Sequence, residues 1–105
     1  MHSIHLRHPW QSEPQADSVV WSRAFNWPAK LDAGEVVQLV VEKVPASASV
    51  RLNDRELGAA SQIRFDVTSL LAARNKVTIF IAESESTPAE RFPYEVRLDI
   101  VTTEE

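Results

Sequence analysis

Residues 50–57 read Val50-Arg51-Leu52-Asn53-Asp54-Arg55-Glu56-Leu57, and two features of that octapeptide decide the fold. Val50 and Leu52 alternate with Ser49, Arg51 and Asn53, the period of a pleated strand with one buried face. Asn53 and Asp54 then occupy a two-residue turn. Among residues that carry a side chain, Asn and Asp best tolerate the positive φ that such a turn demands. A hairpin here fixes the register of two neighbouring strands.

The same period runs through most of the chain. Val37, Leu39 and Val41 form one apolar face against Gln38 and Glu42, with Val36, Val40 and Val44 on the other side. Ile63, Phe65 and Val67 alternate with Arg64 and Asp66; Val77, Ile79 and Ile81 alternate with Thr78 and Phe80; Tyr94, Val96, Leu98 and Ile100 alternate with Glu95, Arg97 and Asp99. Ile4 and Leu6 near the start, and Trp21, Phe25 and Trp27 after them, complete the set. One helical turn is expected over residues 67–72, with Asp66 capping it through the amide of Ser69 and Asn75 ending it in a left-handed conformation. Short strands at turn-rich intervals predict an all-β fold, an antiparallel β-sandwich of about seven to eight strands with one short helical turn, in one domain spanning residues 1–105. The polar stretch 83–90 reads as a solvated loop.

Composition excludes whole classes of function. A chain of 105 residues buries roughly two-thirds of its unfolded surface and needs neither disulfide nor structural metal. The absence of cysteine removes thiol nucleophiles, thiol redox chemistry and cysteine-type zinc sites. Eleven basic against fifteen acidic residues give a net charge of −4, and with no basic run nucleic acid is not an expected partner. Only two glycines occur, so no Gly-rich phosphate cradle is present. Residues 1–18 carry His2, His5, Arg7, His8, Glu13 and Asp17 without a long apolar run. That pattern fits neither a signal peptide nor a membrane span, and a cytoplasmic location is expected.

The order of motifs supports a more specific expectation. Ile4-His5-Leu6-Arg7-His8-Pro9-Trp10, then Trp21-Ser22-Arg23-Ala24-Phe25-Asn26-Trp27-Pro28, then the 50–57 hairpin with Gly58, then Phe65-Asp66-Val67-Thr68-Ser69-Leu70-Leu71 followed by Asn75 to Ile81, resembles the amino-terminal sugar-binding-type domain of the family 2 glycoside hydrolases. The resemblance implies a jelly-roll, galactose-binding-like sandwich. Its most specific part is the pairing of Leu52-Asn53 with Phe65-Asp66-Val67-Thr68. Three departures stand out: His8 and Asp54 replace residues that are usually glycine in the family, and segment 58–65 is short where relatives often carry a longer loop. Family enzymes continue into an immunoglobulin-like domain and a catalytic barrel with two glutamates, for which 105 residues leave no room. The resemblance therefore implies a non-catalytic accessory role.

The chemistry-bearing residues agree with that role. Glycoside hydrolysis needs two carboxyl groups about 5–5.5 Å or 6.5–9.5 Å apart whose environments separate their pKa values. Asp66 reads better as a cap, Glu83, Glu85 and Glu90 as loop solvation, and Glu104 and Glu105 as a tail. No serine sits in a Gly-x-Ser-x-Gly elbow. His2, His5 and His8 are three apart, but on a strand His5 points away from the other two, so no metal site and no cofactor are expected.

Aromatic residues are the remaining functional candidates. A sugar ring stacks the C–H groups of one face on an indole while its hydroxyls seek polar groups at the rim. Trp10 and Trp27, with Arg23 and Asn26 beside them, form the candidate ligand-binding set; Trp21 and Phe25 are assigned to the core. The expected function is a recognition module for carbohydrate. The alternative is a structural or protein-interaction module that kept the scaffold and lost the ligand. The second faces of Val36, Val40, Val44 and Phe80 need cover from the same chain or from a second subunit, which leaves a homodimer open.

Overall fold

In a computed structural model, residues 2–7, 9–27, 31, 33–85 and 92–102 are described. His8, Pro28, Glu90, Glu104 and Glu105, together with most of the 83–90 loop, lie outside the described residues. Among the described residues nine strands form: β1 (His2–His5), β2 (Gln11–Pro14), β3 (Ser18–Asn26), β4 (Glu35–Glu42), β5 (Ser49–Leu52), β6 (Arg55–Ala59), β7 (Arg64–Asp66), β8 (Arg74–Ala82) and β9 (Glu95–Thr102). They make two antiparallel sheets, ordered β1-β9-β4-β7 and β2-β3-β8-β5-β6. The strand beyond the expected seven to eight is β2, whose four residues are all exposed. It carries no apolar alternation, so it leaves no signal of the kind that revealed the others.

The alternating faces meet as the pattern requires. Val37, Leu39 and Val41 of β4, Leu98 of β9 and Phe65 of β7 from one sheet bury against Val50 and Leu52 of β5, Val77, Ile79 and Ile81 of β8 and Trp21 of β3 from the other. The 52–55 hairpin forms as expected, with Asn53 at φ 52° and Asp54 at φ 67°. Past it, Val50 faces Gly58 while Arg51 faces Glu56, so Leu57 is the extra residue of a bulge. Gly58 there adopts φ 139°, which a side chain rarely takes.

Five local expectations are corrected. Residues 67–70 form a single turn, closed by the Leu70 amide on the Val67 carbonyl at 2.9 Å, rather than a helical segment. Asp66 stays in its strand and accepts from the amide and hydroxyl of Thr68, at 3.0 and 2.7 Å, instead of reaching Ser69. The Thr68 hydroxyl in turn accepts the Val37 amide at 2.9 Å, so the turn is stitched to β4 and has no reason to wind further. Those Thr68 bonds hold the Asp66 carboxyl below its ordinary pKa. Asn75 is not a left-handed stop: it is buried within β8 and accepts the Ala72 amide while donating to the Ala72 carbonyl, both at 2.8 Å. Its oxygen also accepts from Asn53 at 2.9 Å, locking the hairpin to the start of β8. Val44 does not share the outer face, because the chain leaves β4 at Lys43 (φ 65°) and turns Val44 onto the core.

Ile63 is the fifth. Its expected inward face is lost, for it is 46% exposed at φ 66°, ψ −49°, close to a γ-turn that β-branched residues seldom adopt. The conformation lets its carbonyl accept the Val41 amide at 2.9 Å and prolong the β4 pairing. Such backbone strain costs about 1–3 kcal/mol. Ile63→Gly is accordingly expected to raise stability by about 1 kcal/mol after the entropic cost of glycine; an unchanged or lower urea midpoint would contradict strain at this residue.

Candidate functional site

The two sheets do not close at one corner. Among the described residues, β1 is an outer strand that pairs only with β9. β2 covers β3 only from Val19 to Ser22 among the described residues, so from Arg23 to Asn26 β3 has β8 on one side and no described strand on the other. Between these two edges lies a cleft of about 580 Å³, within the size range of small-ligand sites. Its walls are inward-facing apolar residues that would otherwise have finished the core: Ile4, Phe25, Trp27, Leu98 and Ile100. Ile4 is 37% exposed for this reason.

Three of the four expected ligand-binding residues come together here. Arg23 holds an inward position between Trp21 and Phe25, a place for charge only where the layers part. Its Nε donates to the Arg7 carbonyl, and one terminal nitrogen donates to the Ala24 carbonyl at 2.7 Å. Trp27 is half-buried against the core, its amide bonded to the Ala73 carbonyl at 2.9 Å. Asn26 is exposed at the rim, opposite Arg74 on β8. His2 and His5 also line the cleft. They pair with Ile100 and Arg97 respectively, and no group of three His, Cys, Asp or Glu that could hold a metal comes together among the described residues.

Trp10 is placed differently. It is 9% exposed, stacks on Phe92 at 3.8 Å between centroids with planes 9° apart, and donates its indole N–H to the Leu6 carbonyl at 2.8 Å. Phe92 also meets Trp21 and Tyr94 edge-on at 5.4 and 5.3 Å. One face and the N–H of Trp10 are thus spent within the fold, and it lines a second cavity of about 420 Å³ that shares only His5 and Leu6 with the cleft.

A buried charge cluster lies on the outer face of the four-stranded sheet. Asp99, fully buried, accepts from Ser3 at 2.7 Å, Arg97 at 3.0 Å and Arg64 at 3.1 Å, and Arg97 also binds Glu42 at 2.7 Å. Burial alone would push the Asp99 carboxyl up; the bonds from Ser3, Arg97 and Arg64 and the charge of Arg97 outweigh it and hold the pKa low. A carboxylate held ionised and saturated with donors serves architecture, not proton transfer. Val40, in register with Arg97 on one side and Arg64 on the other, is fully buried on this same face. The stems of the two arginines flank it, so its cover comes from its own chain. On the other sheet, Phe80 lies under the Arg51 guanidinium at 5.1 Å.

No family model and no curated protein matches the sequence. Among solved structures, the chain is similar to part of an FMN-binding beta-glucuronidase from Facaelibacterium prausnitzii L2-6, with a TM-score of 0.71 and 19% identity over 96% of this chain and 22% of that one. It is also similar to part of a rhamnosidase from Novosphingobium sp. PP1Y, with a TM-score of 0.66 and 15% identity over 94% of this chain and 15% of that one. The chain therefore spans only a minor share of either enzyme. At these identities the likeness shows the fold: a β-sandwich similar to domains found within sugar-processing enzymes.

Proposed function

We propose that this chain is a non-catalytic recognition module that binds carbohydrate in the cleft between β1 and β3. The observation that carries this reading is the convergence of Trp27, Arg23 and Asn26 on one cleft of ligand size. The indole supplies an apolar surface for the C–H groups of a sugar, and the guanidinium and amide supply donors and an acceptor for its hydroxyls. The kinship of fold with segments of a glucuronidase and a rhamnosidase supports it. Titration with mono- and disaccharides, followed by tryptophan fluorescence, tests it. At least one sugar is expected to change the emission in the millimolar range or below, and Trp27→Ala is expected to abolish the change. No response to any sugar would count against the reading.

One observation favours the second reading, a protein-interaction module. The strained, exposed Ile63 stands beside Val44, Ala46 and Ala60 in a shallow groove of about 420 Å³ on the opposite side of β4 from β9. An interaction through this groove would be lost in Ile63→Ser while sugar binding persisted. Sedimentation of the two chains separates a self-association of this kind from a monomer.

A further inference from the structure

We infer that the sugar taken by the β1/β3 cleft is an acidic one, carrying a carboxylate that Arg23 receives; this rests on the carbohydrate reading above. The chain has a net charge of −4, yet among the described residues that line the cleft no carboxylate appears, and the ionisable ones are His2, His5 and Arg23. Arg23 differs in kind from Arg64 and Arg97. Those two bind carboxylates of the chain itself, at 3.1 Å for Arg64 with Asp99 and 2.7 Å for Arg97 with Glu42.

Arg23 instead donates to two backbone carbonyls, those of Arg7 and Ala24, and forms no ion pair among the described residues. Carbonyls orient a guanidinium without neutralising it. Among the described residues, two of its five N–H groups are used in this way, leaving the others for a ligand on a planar fork that matches a carboxylate. Ile4, Phe25 and Trp27 line the same cleft as Arg23. The cleft thus offers a fixed cation at the edge of an apolar surface. That arrangement fits a ring with C–H groups on one face and an anionic group at its margin, with the ring on Trp27 and Phe25.

The test compares matched methyl glycosides, glucuronide against glucoside and galacturonide against galactoside, by calorimetry on the full chain. In each pair only the C6 group changes, from carboxylate to hydroxymethyl. At least one uronide is expected to bind roughly tenfold or more tightly than its neutral partner, as a charge-assisted bond implies. That preference is expected to shrink as ionic strength rises from about 0.05 to 0.5 M. Arg23→Gln is expected to remove the preference. If that variant fails to fold, Arg23→Lys, which keeps the charge but loses the fork, is expected to reduce it. Equal binding of both members of each pair, or a preference that survives loss of the guanidinium, would overturn the acidic-sugar inference and leave the carbohydrate reading standing. Failure of every sugar to bind would overturn both.

Discussion

Phe65→Ala is expected to lower the unfolding free energy by about 3–5 kcal/mol, the usual cost of emptying a buried phenylalanine site. β7 has only three residues, and Arg64 and Asp66 on either side of Phe65 are exposed. Phe65, opposite Leu39 and 3% exposed, is therefore the one side chain of that strand holding it in the interlayer core. The ring also abuts the Gly58 bulge, where an added Cβ would lie 3.5 Å from its Cε1. Little room exists for the surroundings to collapse into the void. Against a total stability of about 5–15 kcal/mol for a domain, the loss would be plain in urea denaturation. A change below about 1 kcal/mol would place the ring outside the core.

Asp99→Ala should cost about 3 kcal/mol, toward the lower end for breaking a buried charge cluster, because Arg97 keeps Glu42 and Arg64 reaches solvent. The exposed Lys43–Glu95 pair at 3.4 Å is expected to matter far less, within about 1 kcal/mol. The Asp99 effect carries a pH signature. Its carboxyl is held below its ordinary value in the folded chain, so its contribution is fully present above the unfolded value, near pH 4, and fades as the pH falls through the folded value. Wild-type stability should therefore drop on acidification below about pH 4 more steeply than that of Asp99→Asn. Parallel acid profiles for the two proteins would show that Asp99 is not held ionised.

Much of this architecture is written in local pattern. Alternation marks a strand wherever one face is buried, which is why β3, β4, β8 and β9 were legible and the wholly exposed β2 was not. The hairpin was legible because Asn53 and Asp54 suit positive φ. The roles of Asp66 and Asn75 were misread because their partners, the Thr68–Val37 link and Asn53, are fixed by strands far apart in sequence. Of the site, Trp27, Arg23 and Asn26 were accessible from sequence as aromatic and polar neighbours. The cleft itself was not, since it depends on β2 stopping short along β3. One signal did exist: Arg23 falls in phase with Trp21 and Phe25, and a charge at an inward position marks where two layers part. Nothing local separated Trp10 from Trp27, because the burial of Trp10 is decided by Phe92, distant in sequence.

The three tryptophans give three indole N–H resonances, and their response to sugar is the most direct test of the carbohydrate-binding cleft. In a ¹H–¹⁵N titration, the Trp27 resonance is expected to shift with saturating ligand while those of Trp10 and Trp21 stay close to their starting positions. Shifts confined to Trp10 or Trp21, or none at all with any sugar, would contradict a carbohydrate site between β1 and β3.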